Sequence, residues 1–272
     1  MIEPKIPGNE EFRLAALHAL PLLDTAADPD FDAVVNTGQA LFGTESCVIT
    51  LIDAERQWFK ARAGFCEVEG PRSTSFCGHA ILESEVFVIP DAHQDERFHD
   101  NPAVTGAPFV RFYAGAQIVL PSGYTVGTVC IFDPKPRHDF GLPERAKLEN
   151  LAKLALTAIT VRALRQDLDV SRNLAERCEA AMQASPGPLA LLNLYGQLTY
   201  FNDAFAALCV DWPDPGTTLT DALGLTVESW SAASMQASGR REMQVSLGGQ
   251  GNITALAVYR DGGGFVVAPV PG

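Results

Sequence analysis

Several features that assign a sequence to a class of protein are missing from this chain of 272 residues. No apolar run reaches the roughly 20 residues that a helix needs to cross a bilayer, and residues 1–5 lack the charged and apolar regions of a signal peptide. Basic residues form no run, and the formal net charge is −13. This charge disfavours nucleic acid and anionic membranes as partners. We therefore expect a cytoplasmic protein that binds neither.

Motifs for metal binding and catalysis are also missing. The six cysteines form no CxxC and no other paired spacing, so we expect free thiols rather than disulfides or a zinc site. His79, His93, His99 and Asp91 show no short spacing typical of ligands, and we predict no metal site. A Walker loop, a GxSxG motif and an HExxH motif are all absent. Because no catalytic output domain is visible, we predict a protein that is not an enzyme.

The first 140 residues show the pattern of an α+β domain. Helices are predicted at 10–20 and 29–42, the second with Phe31, Val34, Val35 and Leu41 inward. Segments 64–74 and 97–108 are predicted loops. We further predict a short helix at 76–84 and strands at 46–53, 56–63, 86–90, 111–119 and 124–133. Together these patterns predict an antiparallel sheet of five or six strands flanked by helices.

A long helix follows, since no glycine or proline lies between Pro143 and Pro186. About 40 residues at 1.5 Å each give a length of about 60 Å. A narrow apolar seam beside charged faces favours a two-stranded coiled coil, so we predict a homodimer through 143–184. The alternative is that the helix packs back on its own domain. The seam comprises Leu148, Leu151, Ala155, Ala158, Val161, Leu164, Leu168, Ala175, Cys178 and Met182.

A second module begins after residues 185–188. Its predicted order is β-β-α-loop-β-β-β, a small α+β sensor layout, with a helix that Asn202 caps. The strands are predicted at 189–194, 198–201, 241–247, 252–260 and 264–270, with turns at 195–196, 248–251 and 261–263. We place the domains at 1–145, 146–184 and 185–272.

Chemically capable side chains are crowded between Ser75 and Asp133. Cys77 lies near the start of a short helix and could be a nucleophile, but residues two apart on a helix, such as Cys77 and His79, do not face each other. Cys77 and Cys130 would form a redox pair only if their segments meet, which the sequence does not show.

Charged residues in the same stretch have two interpretations each. Asp53 and Asp133 end strands, where an aspartate more often caps a turn than serves as an acid or base. Arg97, Arg111 and Asp91 could form either an ion-pair cluster or an anion site.

Residues 10–162 resemble a GAF domain, of the subgroup found at the N-terminus of bacterial sensor histidine kinases and diguanylate cyclases. One departure is Gln117, where the subgroup usually has a proline, so this strand gains a backbone donor. The matching segments are Arg13, Leu20–Thr25, Phe31-Asp32, Leu51–Asp53, Arg56–Lys60, Ser75–Ile81, Asp91, Asp95–Phe98, Asn101-Pro102, Arg111–Gly115 and Gly127–Cys130.

Residues 178–270 resemble a PAS domain. The segments that match are Ala190–Asn193, Gly196–Asn202 and Ala204-Phe205. The module lacks the Asn-Cys-Arg-Phe-Leu-Gln run of flavin-binding light sensors, and no histidine follows His138. We therefore expect neither flavin nor histidine-ligated haem there. A bilin is not expected in the first module, because His79 is not adjacent to Cys77. The cofactor, if any, is unknown.

The resemblance implies a signal-transduction sensor. It would bind a small molecule in the GAF-like domain and relay binding through a dimeric helix to the PAS-like domain and a separate output partner. A histidine kinase of a two-component system, or an output in cyclic di-GMP signalling, would fit. One alternative is a GAF-fold thiol enzyme, such as a free methionine sulfoxide reductase, using Cys77 and Cys130. Another is a scaffold with a filled pocket. The predicted ligand-binding residues are Cys77, His79, Asp91, Arg97, Asn101, Arg111, Tyr113, Gln117 and Cys130.

Overall fold

A computed structural model describes residues 1–193, 195, 197–209 and 211–223, and the backbone of three further strands at 241–246, 253–261 and 264–269. The chain divides into two compact units, Met1–Leu168 and Asp169–Gly272. Within the described residues, every helix is too short or too polar to cross a bilayer.

The first unit is built on an antiparallel sheet in the order β3-β2-β1-β6-β5-β4. This confirms the predicted antiparallel sheet flanked by helices. The β-branched run of β1 explains its central place, since all seven of its residues are buried. β3 lies in a segment for which the sequence predicts a loop. The strands are β1 Ser46–Ile52, β2 Arg56–Ala63, β3 Glu69–Pro71, β4 Phe87–Ile89, β5 Phe112–Val119 and β6 Thr125–Asp133.

One face of this sheet is covered by helices α1 (Glu10–His18) and α2 (Pro29–Phe42). The side chain of Asp28 caps α2 by accepting a bond of 3.1 Å from the amide of Asp30, and Gly43 ends the helix at φ 55°. These cap residues explain why the predicted bounds of α2 agree with the structure.

The predicted inward face of α2 is partly wrong. Phe31, Val34 and Val35 are buried, but Leu41 is 50% exposed. Gly38 takes the inward position instead, because a Cβ there would lie 2.6 Å from Cys47 Sγ. The helix therefore approaches β1 too closely for a larger side chain.

The long helix is α5, Leu142–Gln183, with 42 residues, or about 63 Å. Its first turns pack on its own domain, which is the alternative to a coiled coil given by the sequence. Arg162 and Arg165 extend this contact through ion pairs of 2.7 and 3.0 Å to Asp28 and Asp30. Leu164, Leu168, Val170 and Leu174 are each at least 59% exposed. The buried residues of α5 are Leu148, Leu151, Ala152, Ala155 and Ile159.

The opposite face of the sheet carries short elements. These are a 3-10 turn at Arg72–Thr74, α3 (Phe76–Ala80) and α4 (Pro102–Thr105). α3 is shorter than predicted, and α4 lies in a predicted loop. Because such short helices cover the sheet incompletely, this face leaves room for a cavity beside α3.

The second unit contains an antiparallel sheet in the order β8-β7-β11-β10-β9. Asn202 accepts a bond of 2.9 Å from the amide of Phe205 and so caps α6. The predicted turn at 248–251, Gly196, and the residues 224–240 of the predicted loop lie outside the described residues. The elements are β7 Ala190–Leu192, β8 Leu198–Phe201, α6 Asp203–Ala206, α7 Leu219–Ala222, β9 Arg241–Ser246, β10 Ile253–Asp261 and β11 Gly264–Pro269.

Candidate functional site

Strand register gathers polar side chains on the incompletely covered face. Cys130 of β6 is paired with Val48 of β1 and with Gly115 of β5, and Thr128 is paired with Thr50. Since side chains alternate along a strand, Thr50, Thr128 and Cys130 lie on one face. These side chains form the floor of the site.

Helix α3 brings Cys77 onto this floor. Ser75 caps α3 by accepting a bond of 2.9 Å from the amide of Gly78, and its hydroxyl donates to Gln57 Oε1 at 2.6 Å. Cys77 Sγ then lies 3.6 Å from Cys130 Sγ and 3.4 Å from Thr50 Oγ1. The two segments therefore meet, which answers the question that the sequence left open.

Tyr113 completes the group around the thiols. Its hydroxyl donates to Cys77 Sγ at 3.3 Å. This position depends on Gly115, because a Cβ there would lie 2.4 Å from the Tyr113 hydroxyl oxygen. All six cysteines are free thiols, and Cys77 and Cys130 are buried.

The two thiols differ in acidity. Burial alone would raise the pKa of Cys77, but hydrogen bonds from Cys130, Thr50 and Tyr113 outweigh it and lower the pKa of Cys77 to about 6. The hydrogen bond with Cys77, together with burial, holds the pKa of Cys130 well above its usual value. These opposite shifts favour loss of the proton from Cys77 before Cys130.

A cavity of about 90 Å³ opens beside the thiols. Three of the nine predicted ligand-binding residues line it, namely Cys77, Tyr113 and Cys130. None of the described residues that line it is charged. The others are Val48, Gln57, Phe59, Phe65, Thr74, Phe76, Ala103, Pro108, Val110 and Phe132.

Asp91, Arg111 and Arg97, also predicted to bind ligand, form ion pairs away from this cavity. Arg111 binds Asp91 through two bonds of 2.6 and 2.7 Å, and this guanidinium holds the pKa of Asp91 below its usual value. Arg97 pairs with Asp95 at 2.7 Å and lies over the ring of Phe87, with 4.9 Å to the centroid. The contacts show two separate ion pairs, Arg111–Asp91 and Arg97–Asp95, and not the single cluster of Arg97, Arg111 and Asp91 that the sequence offered.

Asn101, His79 and Gln117, also predicted to bind ligand, do not line the cavity, and Gln117 lines a separate pocket between β5 and α5. Asn101 caps α4 and donates to the carbonyl of Thr74 at 2.8 Å. His79 Nε2 lies 3.0 Å from the carbonyl of Ile2, and burial lowers the pKa of this imidazole. The Gln117 amide donates to Ala80 O at 3.0 Å and also to Glu83 O. Gln117 therefore closes the end of α3, a role that proline cannot take.

Asp53 and Asp133 behave as turn caps. Asp53 accepts from the amide of Ala54 at 2.8 Å, and Asp133 accepts from the amide of Lys135 at 3.1 Å. Within the part of the chain that the structure describes, no three His, Cys, Asp or Glu side chains are grouped so that they could hold a metal ion.

The sequence reasoning missed the apolar walls and the floor. Thr50 contacts both thiols but was not singled out, although the alternation of β1 places it on the face of Val48. Phe59, Phe65 and Phe132 pack edge-to-face in sequence, with centroids 5.2 and 5.3 Å apart. Phe65 lies in a predicted loop, so no periodicity could have revealed its role.

Comparison with known proteins gives one curated relative. The chain is 36% identical over 208 residues to a protein of Pseudomonas aeruginosa named cyclic di-GMP phosphodiesterase PA2567. The match covers 71% of this chain and 35% of the relative, so the chain spans about a third of that protein's length. The prediction of a protein that is not an enzyme is wrong in view of this relative, which is named as an enzyme. The sequence argument failed because it rested on missing motifs alone.

One solved structure matches with a TM-score above 0.5 and shares the fold. The DhaR(N)–DhaL complex of E. coli matches with a TM-score of 0.54 at 10% identity, over 100% of this chain and 93% of that one. The GAF domain of an Acinetobacter phosphoenolpyruvate-protein phosphotransferase matches with a TM-score of 0.41 at 17% identity, over 57% of this chain and 98% of that one.

The family comparison agrees with the sheet, the helices and the motifs described above. The GAF domain family matches residues 28–159, which span α2, the six strands and the buried turns of α5. The prediction of a GAF domain is confirmed for residues 28–159.

Proposed function

We propose that this chain is a sensory region that regulates cyclic di-GMP hydrolysis. The observation that carries the proposal is the 36% identity to a cyclic di-GMP phosphodiesterase. In this proposal the GAF domain binds a small molecule, and the output is hydrolysis of cyclic di-GMP. A histidine kinase output, implied by the subgroup resemblance, is the other arrangement of the same sensor. A cytoplasmic location, expected from the sequence, belongs to the proposal.

The cavity limits the class of ligand. Its volume is about 90 Å³, whereas sites for drug-sized molecules occupy roughly 300–1,000 Å³. A cyclic dinucleotide carries two phosphates and would need cationic side chains, and the described lining residues are uncharged. Cyclic di-GMP is therefore proposed as the substrate of the output and not as the ligand of this cavity. We propose a small uncharged ligand.

Helix α5 is the proposed relay. Val161, Leu164, Leu168, Ala175, Cys178 and Met182 lie on it at steps of three or four, apart from one step of seven across Ser171. Such spacing favours a two-stranded coiled coil, and exposure of 62% at Leu164 and 68% at Leu168 leaves these side chains available. We propose a homodimer through this seam. The predicted PAS-like module is proposed for residues 185–272, supported by the order of two strands, short helices and three strands.

The regulatory proposal is tested in the host cell. Val110→Trp fills the cavity, and Leu41→Trp adds the same side chain at an exposed position of α2 as the matched control. Cellular cyclic di-GMP, measured by mass spectrometry, should change at least about two-fold in the first variant and stay unchanged in the second. Equal levels in wild type and a deletion strain would contradict the proposal. Native mass spectrometry of protein from that host would identify a retained ligand.

The dimer is tested by light scattering on the full chain. Leu168→Glu should halve the mass, because a charge in the seam is desolvated on association. Leu154→Glu, at an exposed position outside the seam, should leave the mass unchanged. A concentration-independent monomer for the wild type would exclude the proposed dimer.

The thiol geometry favours a second candidate, a GAF-fold enzyme of the sulfoxide reductase type. The separation of 3.6 Å between Cys77 and Cys130 supports it. Turnover of free methionine sulfoxide by wild type, lost in Cys77→Ser, would establish this activity. No turnover in either form would eliminate it.

A further inference from the structure

Cys77 and Cys130 are two nucleophilic groups in contact. A cavity that only binds a ligand does not require such a pair of thiols in its wall. Their sulfur atoms lie 3.6 Å apart although the residues are 53 apart in sequence. Both are buried at a cavity of about 90 Å³. The cavity has partly exposed lining residues at Gln57, Thr74 and Pro108, which give small molecules a route inward.

We propose that Cys77 and Cys130 form a reversible disulfide when a small hydroperoxide enters this cavity, so that the GAF domain senses oxidant. The proposal goes beyond the regulation of cyclic di-GMP hydrolysis and does not depend on it, because the bond forms within the GAF domain whichever output follows.

The reaction needs only the hydroperoxide and the two thiols. The Cys77 thiolate attacks the terminal oxygen of the hydroperoxide, the O–O bond breaks, and Cys77 becomes a sulfenic acid. The alkoxide, or hydroxide from hydrogen peroxide, leaves and takes a proton from solvent. Cys130 sulfur then attacks Cys77 sulfur, the S–S bond forms, and the S–O bond breaks. The leaving hydroxide takes the Cys130 proton as water. Two electrons pass from the thiols to the peroxide.

The surroundings support this division of roles. The thiolate is the nucleophile in such oxidation, and the hydrogen bonds from Tyr113 and Thr50 lower the pKa of Cys77. Cys130 keeps its proton until the second step, where it is the resolving thiol. The sulfur atoms must approach by about 1.5 Å to reach the usual S–S length, and the adjacent cavity gives the side chains room to rotate.

The cavity also sets the size of the oxidant. Its volume admits hydrogen peroxide or a hydroperoxide with a short alkyl group, whereas an aromatic hydroperoxide is too large. Cys66 and Cys178 are exposed and meet oxidants of any size. These two residues are therefore internal references for reaction at the surface.

The experiment oxidises the reduced full chain with hydrogen peroxide at pH 7, blocks free thiols in denaturant with N-ethylmaleimide, and maps the peptides. A Cys77–Cys130 peptide, two hydrogens lighter and restored by dithiothreitol, is expected at least about ten-fold faster than oxidation of Cys66, because hydrogen bonds lower the pKa of Cys77 and the thiolate is the reactive form. Cys66→Ser and Cys178→Ser should leave its yield unchanged. Alkylated Cys77 and Cys130 after Cys66 has been oxidised would overturn the proposal.

Two further measurements test the proposal without a cysteine variant, which could misfold. Tyr113→Phe keeps the ring but removes the donor, and should slow disulfide formation at pH 6 about five-fold, as for a rise of one unit in the pKa of Cys77 from about 6. Cumene hydroperoxide should oxidise Cys66 but not the pair. Disulfide formation at equal rates with both oxidants would place the reaction outside the cavity and overturn the proposal.

Discussion

The two faces of the six-stranded sheet differ in chemistry although the same strands build both. On the face covered by α1, α2 and α5, β1 presents Cys47, Ile49 and Leu51 to a continuous apolar core. On the other face the same strand presents Val48 and Thr50 to the thiols and the cavity. A single alternating strand thus supports a packed layer on one side and a reactive site on the other.

The two faces differ in how closely their helices approach the sheet. Gly38 lets α2 approach Cys47 so closely that a Cβ would lie 2.6 Å from its sulfur. Across the sheet, short helices leave the cavity beside Cys77. We infer that stability is concentrated on the helical face and reactivity on the cavity face, and four predictions examine this division.

The largest expected difference is between the buried thiols of the two faces. Burial raises the pKa of Cys47 to about 12, whereas the hydrogen bonds at Cys77 outweigh burial and lower its pKa to about 6. At pH 7, methyl methanethiosulfonate should label Cys77 more than about a thousand-fold faster than Cys47, since the thiolate reacts. Timed labelling with peptide mapping measures this ratio. Similar rates would show that the faces do not differ in thiol acidity.

The next effect concerns stability on the helical face. Leu148 is fully buried, so Leu148→Ala should lower the free energy of unfolding by about 3 kcal/mol. Hydrogen exchange of the β1 amides measures this change, because central strands open only with the whole domain. Leu154→Ala, on the same helix but 54% exposed, should change it by less than about 0.5 kcal/mol. Equal losses in both variants would contradict the burial pattern of α5.

A smaller change in the free energy of unfolding is expected when a larger side chain is introduced on either face. Gly38→Ala should cost about 2 kcal/mol through the contact with Cys47, although alanine is the better helix former. Cys47→Ala should recover part of this loss, giving a coupling energy of about 1 kcal/mol. Val110→Ile adds one methyl beside the cavity and should cost less than about 1 kcal/mol. Chemical denaturation followed by hydrogen exchange of β1 ranks these variants, and a costlier Val110→Ile would reverse the comparison.

The smallest effect is an ion pair at the edge of the cavity face. Arg111→Met leaves buried Asp91 without its partner and should lower the melting temperature at pH 7. Because Arg111 lowers the pKa of Asp91 in the folded state, the pair stabilises fully above the unfolded value of about 4. Its contribution is lost as the pH falls through the lowered folded value.

Melting temperatures of wild type and Arg111→Met should therefore differ at pH 7 and converge in acid. Arg97→Met breaks the more exposed pair with Asp95 and should cost less than about 1 kcal/mol. A difference for Arg111→Met that persists well below pH 4 would show that packing, not charge, is responsible.

Local signals in the sequence were enough for most of the elements. The bounds of α2 follow from Asp28, Pro29 and Gly43, and the length of α5 follows from the absence of glycine and proline over 40 residues. These features act over one or two turns, so they can be found without the fold. Leu41 shows what such local signals cannot predict, since its exposure depends on how closely α2 approaches β1.

The candidate site was only partly predictable. The resemblance to GAF motifs predicts Cys77, Tyr113 and Cys130 as site residues. Their contact, however, arises from the pairing of β1 with β6 and of β6 with β5. Such pairings join residues far apart in sequence, and no local pattern specifies them. Asp91, Arg97 and Arg111 belong to the same motifs but form ion pairs outside the cavity lining, a difference in position that the motifs do not indicate.

The site is sensitive to substitution of Gly115. This glycine touches no ligand and contributes no reactive atom, yet any side chain at this position would displace the Tyr113 hydroxyl from Cys77. In a mutational scan, position 115 should therefore score as intolerant under selection for thiol chemistry. Because flanking β5 residues already supply the strand's packing, the same position should score as more permissive under selection for folding alone.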